Sequence, residues 1–428
     1  MSATKEKAAV SLSRLQRRFK ELSEIGLDPE VGGLYRMAFT REDMEARDWL
    51  EKEMKEAGLQ VSRDGAGNVS GLLEGSEPDL PRVLVGSHLD TVPCAGTLDG
   101  SLGVMAALES LHAMTEAGVR PRHSIEVISF SDEEGRFGGM FGSQAVAGKL
   151  TPETLHHARD LNGVKLSDTL ERHGMDPWQA LEARRDPKSL ECYLELHIEQ
   201  GPVLDVAREQ VGLVEDITGL FKWSVTLRGE ANHAGTTPMD MRQDAFLGMA
   251  EFAYQIPRVL EENGSERSRA TVGKAELHPG SANTVPGEAI FSLDVRDTDP
   301  EILRQLADQF RRSLSAIARR RNLMFEFTVE SEIAPVACSR PMLKVLEAKA
   351  KELDLAYRRM PSGAAHDAQI MATITPTVML FVPSRGGKSH SPQEWTSWDD
   401  IEAGTKLLLE ALLEFGNSGH PGQKGVSC

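Results

Sequence analysis

The sequence has few cysteines and no long apolar run, and each shortage excludes a class of protein. Its four cysteines, Cys94, Cys192, Cys338 and Cys428, lie far apart and form no C-x-x-C pair, which argues against a disulfide framework or a cysteine-based zinc clip. No segment approaches the roughly 18 apolar residues that span a bilayer. The first residues are charged and lack the apolar centre of a secretory signal. These features predict a reduced, cytoplasmic setting without a membrane partner.

Basic residues are also too few to favour a nucleic-acid partner. The 428 residues include 48 Lys and Arg against 65 Asp and Glu, which gives a formal net charge of −17. A field of this sign repels phosphate backbones and anionic lipid surfaces. With 40% hydrophobic and 26% charged residues, the composition is that of a globular enzyme, and the length suits two or three domains.

Alternating strand and helix patterns predict an α/β catalytic domain contributed by two parts of the chain, residues 1–215 and 332–428. Thr40 is expected to cap a helix that ends at Glu56, and a closing helix is expected to stop at Gly416. The predicted strands cover residues 83–86, 124–130, 193–197 and 377–382, and further helices cover residues 101–116 and 399–415. Strands separated by helices in this way indicate a mixed, mostly parallel sheet flanked by helices.

The intervening segment, residues 216–331, shows a different order. Its patterns read β-α-β-β-α-β, which is the split βαβ arrangement of a ferredoxin-like α+β domain. The predicted strands are residues 221–228, 270–278, 288–296 and 324–329, and the predicted helices are residues 242–262 and 300–321. One face of such a sheet lacks helices of its own, so we expect this inserted domain to pair with a second copy of the chain.

Acidic and imidazole side chains recur at the carboxyl ends of the predicted catalytic-domain strands. These are the positions at which open α/β sheets bind ligands. A lone buried histidine is usually a core residue, and a lone Glu-Glu pair is usually solvated. Five such residues at strand ends favour a common site instead: His88, Asp99, Glu134, His197 and His390.

Three imidazoles and two carboxylates form a ligand set suited to zinc, manganese, cobalt or nickel. Because five ligands without cysteine exceed the needs of one structural zinc, we expect two divalent ions per subunit, with one carboxylate bridging them. Glu133, adjacent to Glu134, is placed to take a proton from a bound water as general base. Asp90, two residues beyond His88, is placed to orient that imidazole.

Several motifs, in order along the chain, resemble the hydantoinase/carbamoylase family of the dinuclear metal aminoacylase/peptidase superfamily. They are GSHLDTVP (86–93), DGSLGV (99–104), DEEG (132–135), LELHIEQG (194–201), HAGTTPM (233–239), NTVPG (283–287), SGAAHD (362–367) and SHSP (389–392). The resemblance implies that His88, Asp99, Glu134, His197 and His390 are metal ligands, that Asp99 is the bridge and that Glu133 is the base. It also implies a homodimer formed through the inserted domain.

Substrate-binding residues are expected on other segments. Arg296, after an apolar run, could hold a substrate carboxylate bidentately or form a surface salt bridge, and Asn283 in a polar turn could assist it. The resemblance implies that Arg296 and Asn283 bind this carboxylate and that Gln200 contacts the polar end of the substrate. It further implies that His233 reaches the neighbouring subunit's active site to stabilise the oxyanion.

Two loops complete this prediction. By the same resemblance, Gly363 and Ala364 line the pocket. His366 and Asp367 could equally be ordinary turn residues and are not assigned to the site. Family members often carry an extra residue between Glu-Glu-Gly and Arg-Phe, and this chain has none after Gly135. We therefore expect the pocket loop, but not the metal ligands, to differ.

The predicted function is metal-dependent hydrolysis of the ureido C–N bond of N-carbamoyl-L-amino acids, which gives the amino acid, CO2 and NH3. An allantoate amidohydrolase or a β-ureidopropionase would use the same residues. A dipeptidase or aminoacylase leaves the family-specific motifs unexplained, and a non-enzymatic binding protein would be expected to lack a ligand or the base.

Overall fold

The computed structural model describes residues 7–418, so Cys428 lies outside the described residues. In chain order the strands are β1 Leu27–Asp28, β2 Gly33–Leu34, β3 Gln60–Arg63, β4 Val69–Leu73, β5 Arg82–His88, β6 Ile125–Phe130, β7 Leu190–Ile198, β8 Val211–Ile217, β9 Gly219–Arg228, β10 Asn232–His233, β11 Arg269–Thr271, β12 Ala275–His278, β13 Thr284–Val285, β14 Glu288–Asp297, β15 Met324–Ile333, β16 Val336–Ala337, β17 Tyr357–Ser362 and β18 Thr377–Val382. The α-helices are α1 Leu12–Glu24, α2 Arg41–Glu56, α3 Ser101–Glu116, α4 Phe141–Val146, α5 Pro152–His157, α6 Leu166–Arg172, α7 Val203–Ala207, α8 Ala245–Asn263, α9 Pro300–Arg321, α10 Arg340–Glu352, α11 Asp367–Met371 and α12 Trp398–Ser418. None of the helices within residues 7–418 combines the length and apolar composition that a membrane span requires.

The chain divides into two compact units. The first contains the described residues up to Glu215, then Cys338–Ser362, and continues from His366. The second contains Asp216–Ala337 together with Gly363–Ala365. Its range lies close to the sequence-based boundaries at residues 216 and 331, and it extends further because β15 and β16 continue to Ala337.

A mixed sheet forms the centre of the first unit. Its strands are ordered β8, β18, β7, β5, β6, β4 and β3, and β17 also pairs with β8. Strands β18, β7, β5 and β6 run parallel, whereas the pairs β8–β18, β6–β4 and β4–β3 are antiparallel. The predicted mixed α/β sheet is confirmed. Its parallel part is confined to four strands. The antiparallel pairing of β3 and β4 follows from their short connection, which can join only antiparallel neighbours.

Helices cover both faces of this sheet. On one face, Leu196 of β7 lies against Gly404 of α12, and on the other, the Glu195 carboxylate accepts a hydrogen bond from the backbone N–H of Ala368 in α11. Successive residues of a strand point to opposite faces, so α11 and α12 lie on opposite sides. All nine residues of β7 are consequently buried.

Local sequence signals explain some helix limits in this unit. Thr40 Oγ1 accepts a hydrogen bond from the Asp43 N–H at the start of α2, and α3 spans the predicted residues. The predicted stop of the closing helix at Gly416 is wrong, because α12 continues to Ser418. A Cβ at Gly416 would lie 2.9 Å from Pro121, so this glycine permits close packing rather than ending the helix.

The second unit has the predicted split βαβ order. Strands β11, β14, β9 and β15 form an antiparallel sheet in that spatial order, and β12 also pairs with β14. Helices α8 and α9 pack on one face of this sheet. Phe252, Phe291 and Phe310 lie in the core between them. The predicted strand at 270–278 is two strands, because the N–H groups of Gly273 and Lys274 donate to the Ser292 hydroxyl.

Candidate metal and active site

The predicted ligands meet at the carboxyl ends of the parallel strands of the first unit. His88 is the last residue of β5, His197 is the penultimate residue of β7, and Glu134 follows β6. Asp99 lies two residues before the start of α3, and His390 lies in the loop after β18. Parallel strands bring their carboxyl ends to the same edge of a sheet, and this shared edge collects side chains that are about 300 positions apart in the sequence.

Two groups of possible metal ligands share Asp99. The ligand atoms of His88, Asp99 and His197, here called the buried group, lie within 4.8 Å of one another, and all three residues are buried. The ligand atoms of Asp99, Glu134 and His390, here called the open group, meet the same limit, but His390 is 49% exposed. Asp99 Oδ1 lies 3.2 Å from His197 Nε2, and its Oδ2 lies 3.1 Å from His390 Nε2.

Backbone carbonyls orient both imidazoles of the buried group. The carbonyl oxygens of Asp90 and Ile198 lie 3.0 Å from Nδ1 of His88 and of His197, respectively. A hydrogen on each Nδ1 therefore satisfies a carbonyl and leaves Nε2 as a lone-pair donor toward the site. Burial lowers the pKa of His88 to about 4, which keeps this ring neutral at neutral pH, as metal ligation requires.

Asp90 contacts His88 through its main chain. Its carboxylate lies 3.9 Å from His88 Nδ1, and its two oxygens instead accept hydrogen bonds from the backbone N–H groups of Glu133 and Glu134, at 3.3 and 3.1 Å. The contact with His88 is made by the Asp90 carbonyl. Asp90 thus links the β5 end to the loop that carries the predicted base.

Glu133 lies beside the buried group. Its Oε2 is 3.6 Å from His88 Nε2, and a third set of possible ligand atoms comprises His88, Glu133 and Glu134. Burial, with repulsion from Glu134 and Asp367, raises the pKa of Glu133 well above its usual value. A carboxylate with a raised pKa can hold a proton that it takes from water, which is the property that a general base and acid needs.

The donor set fits divalent cations. Glu134 Oε1 is buried and has no hydrogen-bond partner within residues 7–418. Burial, with repulsion from Asp99, Asp90 and Glu394, also raises the pKa of Glu134 well above its usual value. Neutral imidazoles and crowded carboxylates are the groups that zinc and similar ions bind, and a cation would relieve this repulsion.

A further histidine lies behind the site. The His366 ring is 4.6 Å from the His197 ring, and Glu195, His197 and His366 also have ligand atoms close enough for a metal. However, Glu195 already accepts hydrogen bonds from Ser87, Tyr193 and Ala368, and His366 Nε2 lies 2.9 Å from the Ser362 hydroxyl. Hydrogen bonds within the protein therefore account for this set without a metal.

Gln200 lies at the open group. Its backbone is left-handed, with φ of 59°, and its Nε2 donates to Asp99 Oδ2 at 2.9 Å. The same amide nitrogen lies 3.4 Å from His390 Nε2. The amide oxygen has no hydrogen-bond partner among residues 7–418, so it remains an acceptor for a ligand.

The other predicted substrate residues belong to the second unit. His233 in β10 pairs with Thr284 in β13, and the Ala234 N–H donates to the Asn283 carbonyl. Arg296 donates through Nε and Nη2 to Asp294 and through Nη1 to the Gly363 carbonyl. Ala364 follows Gly363 in the same short segment of this unit.

Comparison with known proteins places the chain in a family. A profile of peptidase family M20/M25/M40 matches residues 84–414. The chain belongs to this family. It is 42% identical over 404 residues to an N-carbamoyl-L-amino acid amidohydrolase of Geobacillus stearothermophilus, covering 94% of this chain and 98% of that one. It is 36% identical to the allantoate amidohydrolase of Escherichia coli (strain K12), covering 92% and 95%.

A solved structure gives the same relationship for this M20/M25/M40 member. An amidase of the hydantoinase/carbamoylase family from Burkholderia multivorans matches with a TM-score of 0.87 and 34% identity, over 95% of this chain and 98% of that chain. The family resemblance carried by the sequence motifs is thereby confirmed.

Two residues near the ligands were missed by the sequence reasoning. Glu195 is two positions from His197 in β7, and the period of two in a strand could have placed both on one face. Glu394 lies four residues after His390 and accepts hydrogen bonds from the backbone N–H groups of Leu98 and Asp99. No local pattern indicates that contact.

Proposed function

We propose that this M20/M25/M40 family member is a dinuclear metal-dependent amidohydrolase that cleaves the ureido C–N bond of N-carbamoyl-L-amino acids. The observation that supports it most strongly is the pair of ligand groups that share Asp99, with Glu133 beside them. The relatives named above as N-carbamoyl-L-amino acid and allantoate amidohydrolases agree with it. Allantoate, with two ureido groups, is the second candidate substrate.

His88, Asp99, Glu134, His197 and His390 would hold the two ions, each zinc, manganese, cobalt or nickel. When bound, such ions lower the pKa of a water and polarise a carbonyl. Glu133 accepts the proton of the attacking water and returns it to the leaving nitrogen of the amino acid. The other product, carbamate, decomposes to CO2 and NH3.

His233 is suited to stabilise the oxyanion that forms during attack. The Gly235 N–H donates to His233 Nδ1 at 3.0 Å, so the neutral ring carries its hydrogen on Nε2. His233 is exposed, and this N–H is therefore a donor that another group can use. We assign it this role in the active site of a neighbouring subunit.

Arg296 and Asn283 are suited to bind the substrate carboxylate. A guanidinium has five N–H donors, of which Asp294 and Gly363 occupy three, so one remains on each of Nη1 and Nη2. Asn283 Oδ1 accepts from Ser281 and Thr284, which orients its amide nitrogen as a donor. Gly363 and Ala364 would line this pocket, and Gln200 would contact the ureido end.

We further propose a homodimer that forms through the second unit. Strand β15 lies at the edge of its sheet, and Met324 and Val329 in this strand are 71% and 53% exposed. An exposed edge strand offers unpaired backbone groups to a second chain. Sedimentation velocity should show a dimer, and a monomer at micromolar concentration would contradict this assignment.

We also propose a cytoplasmic location. The wide spacing of the cysteines, which does not favour a disulfide framework, is the feature that supports it.

A substrate panel tests the proposed activity. Protein loaded separately with Zn²⁺, Mn²⁺, Co²⁺ or Ni²⁺ is assayed with N-carbamoyl-L- and D-amino acids, allantoate, 3-ureidopropionate and dipeptides, and both ammonia and the released amine are measured. We expect the highest kcat/KM for an N-carbamoyl-L-amino acid. Turnover of allantoate alone would favour the second candidate, and turnover of dipeptides without any ureido acid would contradict the proposal.

A further inference from the structure

A buried carboxylate outside the ligand groups connects the segments that carry Asp99 and His390. Glu394 is 5% exposed, and its Oε1 accepts hydrogen bonds from the backbone N–H groups of Leu98 and Asp99 at 2.8 and 3.0 Å. Its Oε2 lies 3.2 Å from the Ser389 hydroxyl. One side chain thus holds the backbone of one ligand and the neighbour of another, although the two are nearly 300 positions apart.

Ser389 closes this arrangement around the shared carboxylate. Its Oγ also lies 3.1 Å from Asp99 Oδ2, and Gln200 Nε2 lies 3.3 Å from that Oγ. Glu394 therefore holds the main chain of Asp99 directly. The single hydroxyl hydrogen of Ser389 can be donated to only one carboxylate at a time, either the side chain of Asp99 or that of Glu394. The position of Asp99 relative to the His390 loop depends on these contacts.

The local backbone shows that the loop needs such support. His390 has a left-handed backbone with φ of 53°, a conformation that costs a non-glycine residue about 1–2 kcal/mol. Gly386 and Gly387, which precede His390 by four and three residues in the same connection, also have positive φ. Gly96 leaves room for Glu394, because a Cβ there would lie 2.4 Å from the Cβ of Glu394.

We propose that Glu394 is a positioning residue that keeps Asp99 and His390 at the separation needed for the open group to retain a divalent ion. This inference rests on the proposed metal-dependent function. The buried group depends less on Glu394, because His88 and His197 are set by β5 and β7, which pair with neighbouring strands. Loss of the Glu394 contacts should therefore release one ion selectively.

Three variants separate positioning from general stability. Glu394→Ala removes every contact. Glu394→Gln keeps them, because its amide oxygen can accept from Leu98 and Asp99 while its NH2 donates to Ser389, which in turn donates to Asp99. Asp297→Ala is the matched control in the second unit, since Asp297 is also buried and accepts from two serine hydroxyls and a backbone N–H.

Each protein is loaded with Co²⁺ or Zn²⁺, and ion content, ion release to a chelator, the visible Co²⁺ spectrum and the melting temperature of the ion-free chain are measured. We expect Glu394→Ala to release one ion on the order of 10–100-fold faster than wild type, with a changed Co²⁺ spectrum. Glu394→Gln should stay close to wild type. Asp297→Ala should lower the melting temperature without changing ion release.

If Glu394→Ala released its ions at the wild-type rate, the inference would be overturned. It would also be overturned if Glu394→Gln released an ion as fast as Glu394→Ala, because the loss of charge rather than the loss of the contacts would then explain the effect. If Asp297→Ala released an ion as fast as Glu394→Ala, the effect would be general destabilisation and the inference would fall. A wild-type chain that retains no divalent ion would instead remove the proposed function itself.

Discussion

The two ligand groups share Asp99 but are built from different kinds of structure. In the buried group, His88 and His197 lie on paired strands, and backbone carbonyls orient their rings. In the open group, Glu134 and His390 lie on loops, and His390 is half exposed. The sheet therefore positions the two histidines of the buried group. The shared Asp99 and the loop of the open group are connected instead by hydrogen bonds that involve Ser389 and Glu394.

The largest effect is expected for the predicted base. Glu133→Gln should lower hydrolysis by about 10²–10⁴-fold, because the neutral amide cannot accept the proton of the attacking water. The adjacent variant Glu134→Gln should reduce the ion content of the open group instead. Metal analysis beside kcat on both variants checks this difference. Wild-type turnover by Glu133→Gln would show that another group is the base.

Replacing one histidine in each group compares the two kinds of construction directly. His88→Ala removes a ring that is 2% exposed, so it should lose an ion and also destabilise the ion-free chain by about 1–3 kcal/mol. His390→Ala should lose an ion while the ion-free stability changes by no more than about 0.5 kcal/mol. Urea unfolding of the ion-free variants measures both values, and equal losses of stability would remove the distinction between the groups.

Substrate binding is expected to depend on the second unit, and metal binding on the first. Arg296→Met should raise KM about 10–100-fold, because a charge-assisted hydrogen bond contributes about 1.5–3 kcal/mol. Its ion content should not change. Arg228→Met, which removes an exposed arginine paired with Glu288 and Glu326, is the control. A KM unchanged in Arg296→Met would show that the substrate carboxylate is bound elsewhere.

The smallest effect concerns a carboxylate whose hydrogen bonds involve no residue of either ligand group. Hydrogen bonds from Arg359, Tyr357 and Lys351 lower the pKa of Glu347 to about 2. Because the folded-state pKa is depressed, this stabilisation is present above the ordinary pKa of about 4.5 and is lost as the pH falls toward 2. Arg359→Gln should cost less than about 1 kcal/mol at pH 7, flatten the acid limb of the stability curve and leave ion release unchanged.

Features encoded locally could be predicted from the sequence. The Thr40 cap, the limits of α3 and the placement of ligands at strand ends follow from short patterns, and the structure has all of them. The antiparallel outer strands were less predictable, because an antiparallel and a parallel neighbour can carry the same run of apolar residues. The helix α12 continues past Gly416, which packs closely against Pro121, and no local signal shows that contact.

Contacts between side chains and distant backbone groups could not be predicted from the sequence. The role of Glu394 depends on N–H groups that every non-proline residue has, so no residue type marks Leu98 as its partner. Likewise, the spacing of Asp90 and His88 indicated that Asp90 orients the imidazole, but it did not show that the Asp90 carbonyl makes the contact. Tertiary geometry alone decides which of these alternatives forms.

The most direct test of the account is the anomalous scattering of crystals grown with zinc or manganese, measured on both sides of the metal absorption edge. Two peaks per chain are expected, roughly 3.5–4 Å apart, one beside His88 and His197 and one beside Glu134 and His390, with Asp99 between them. A single peak away from Asp99, or no peak at these five side chains, would contradict the dinuclear site.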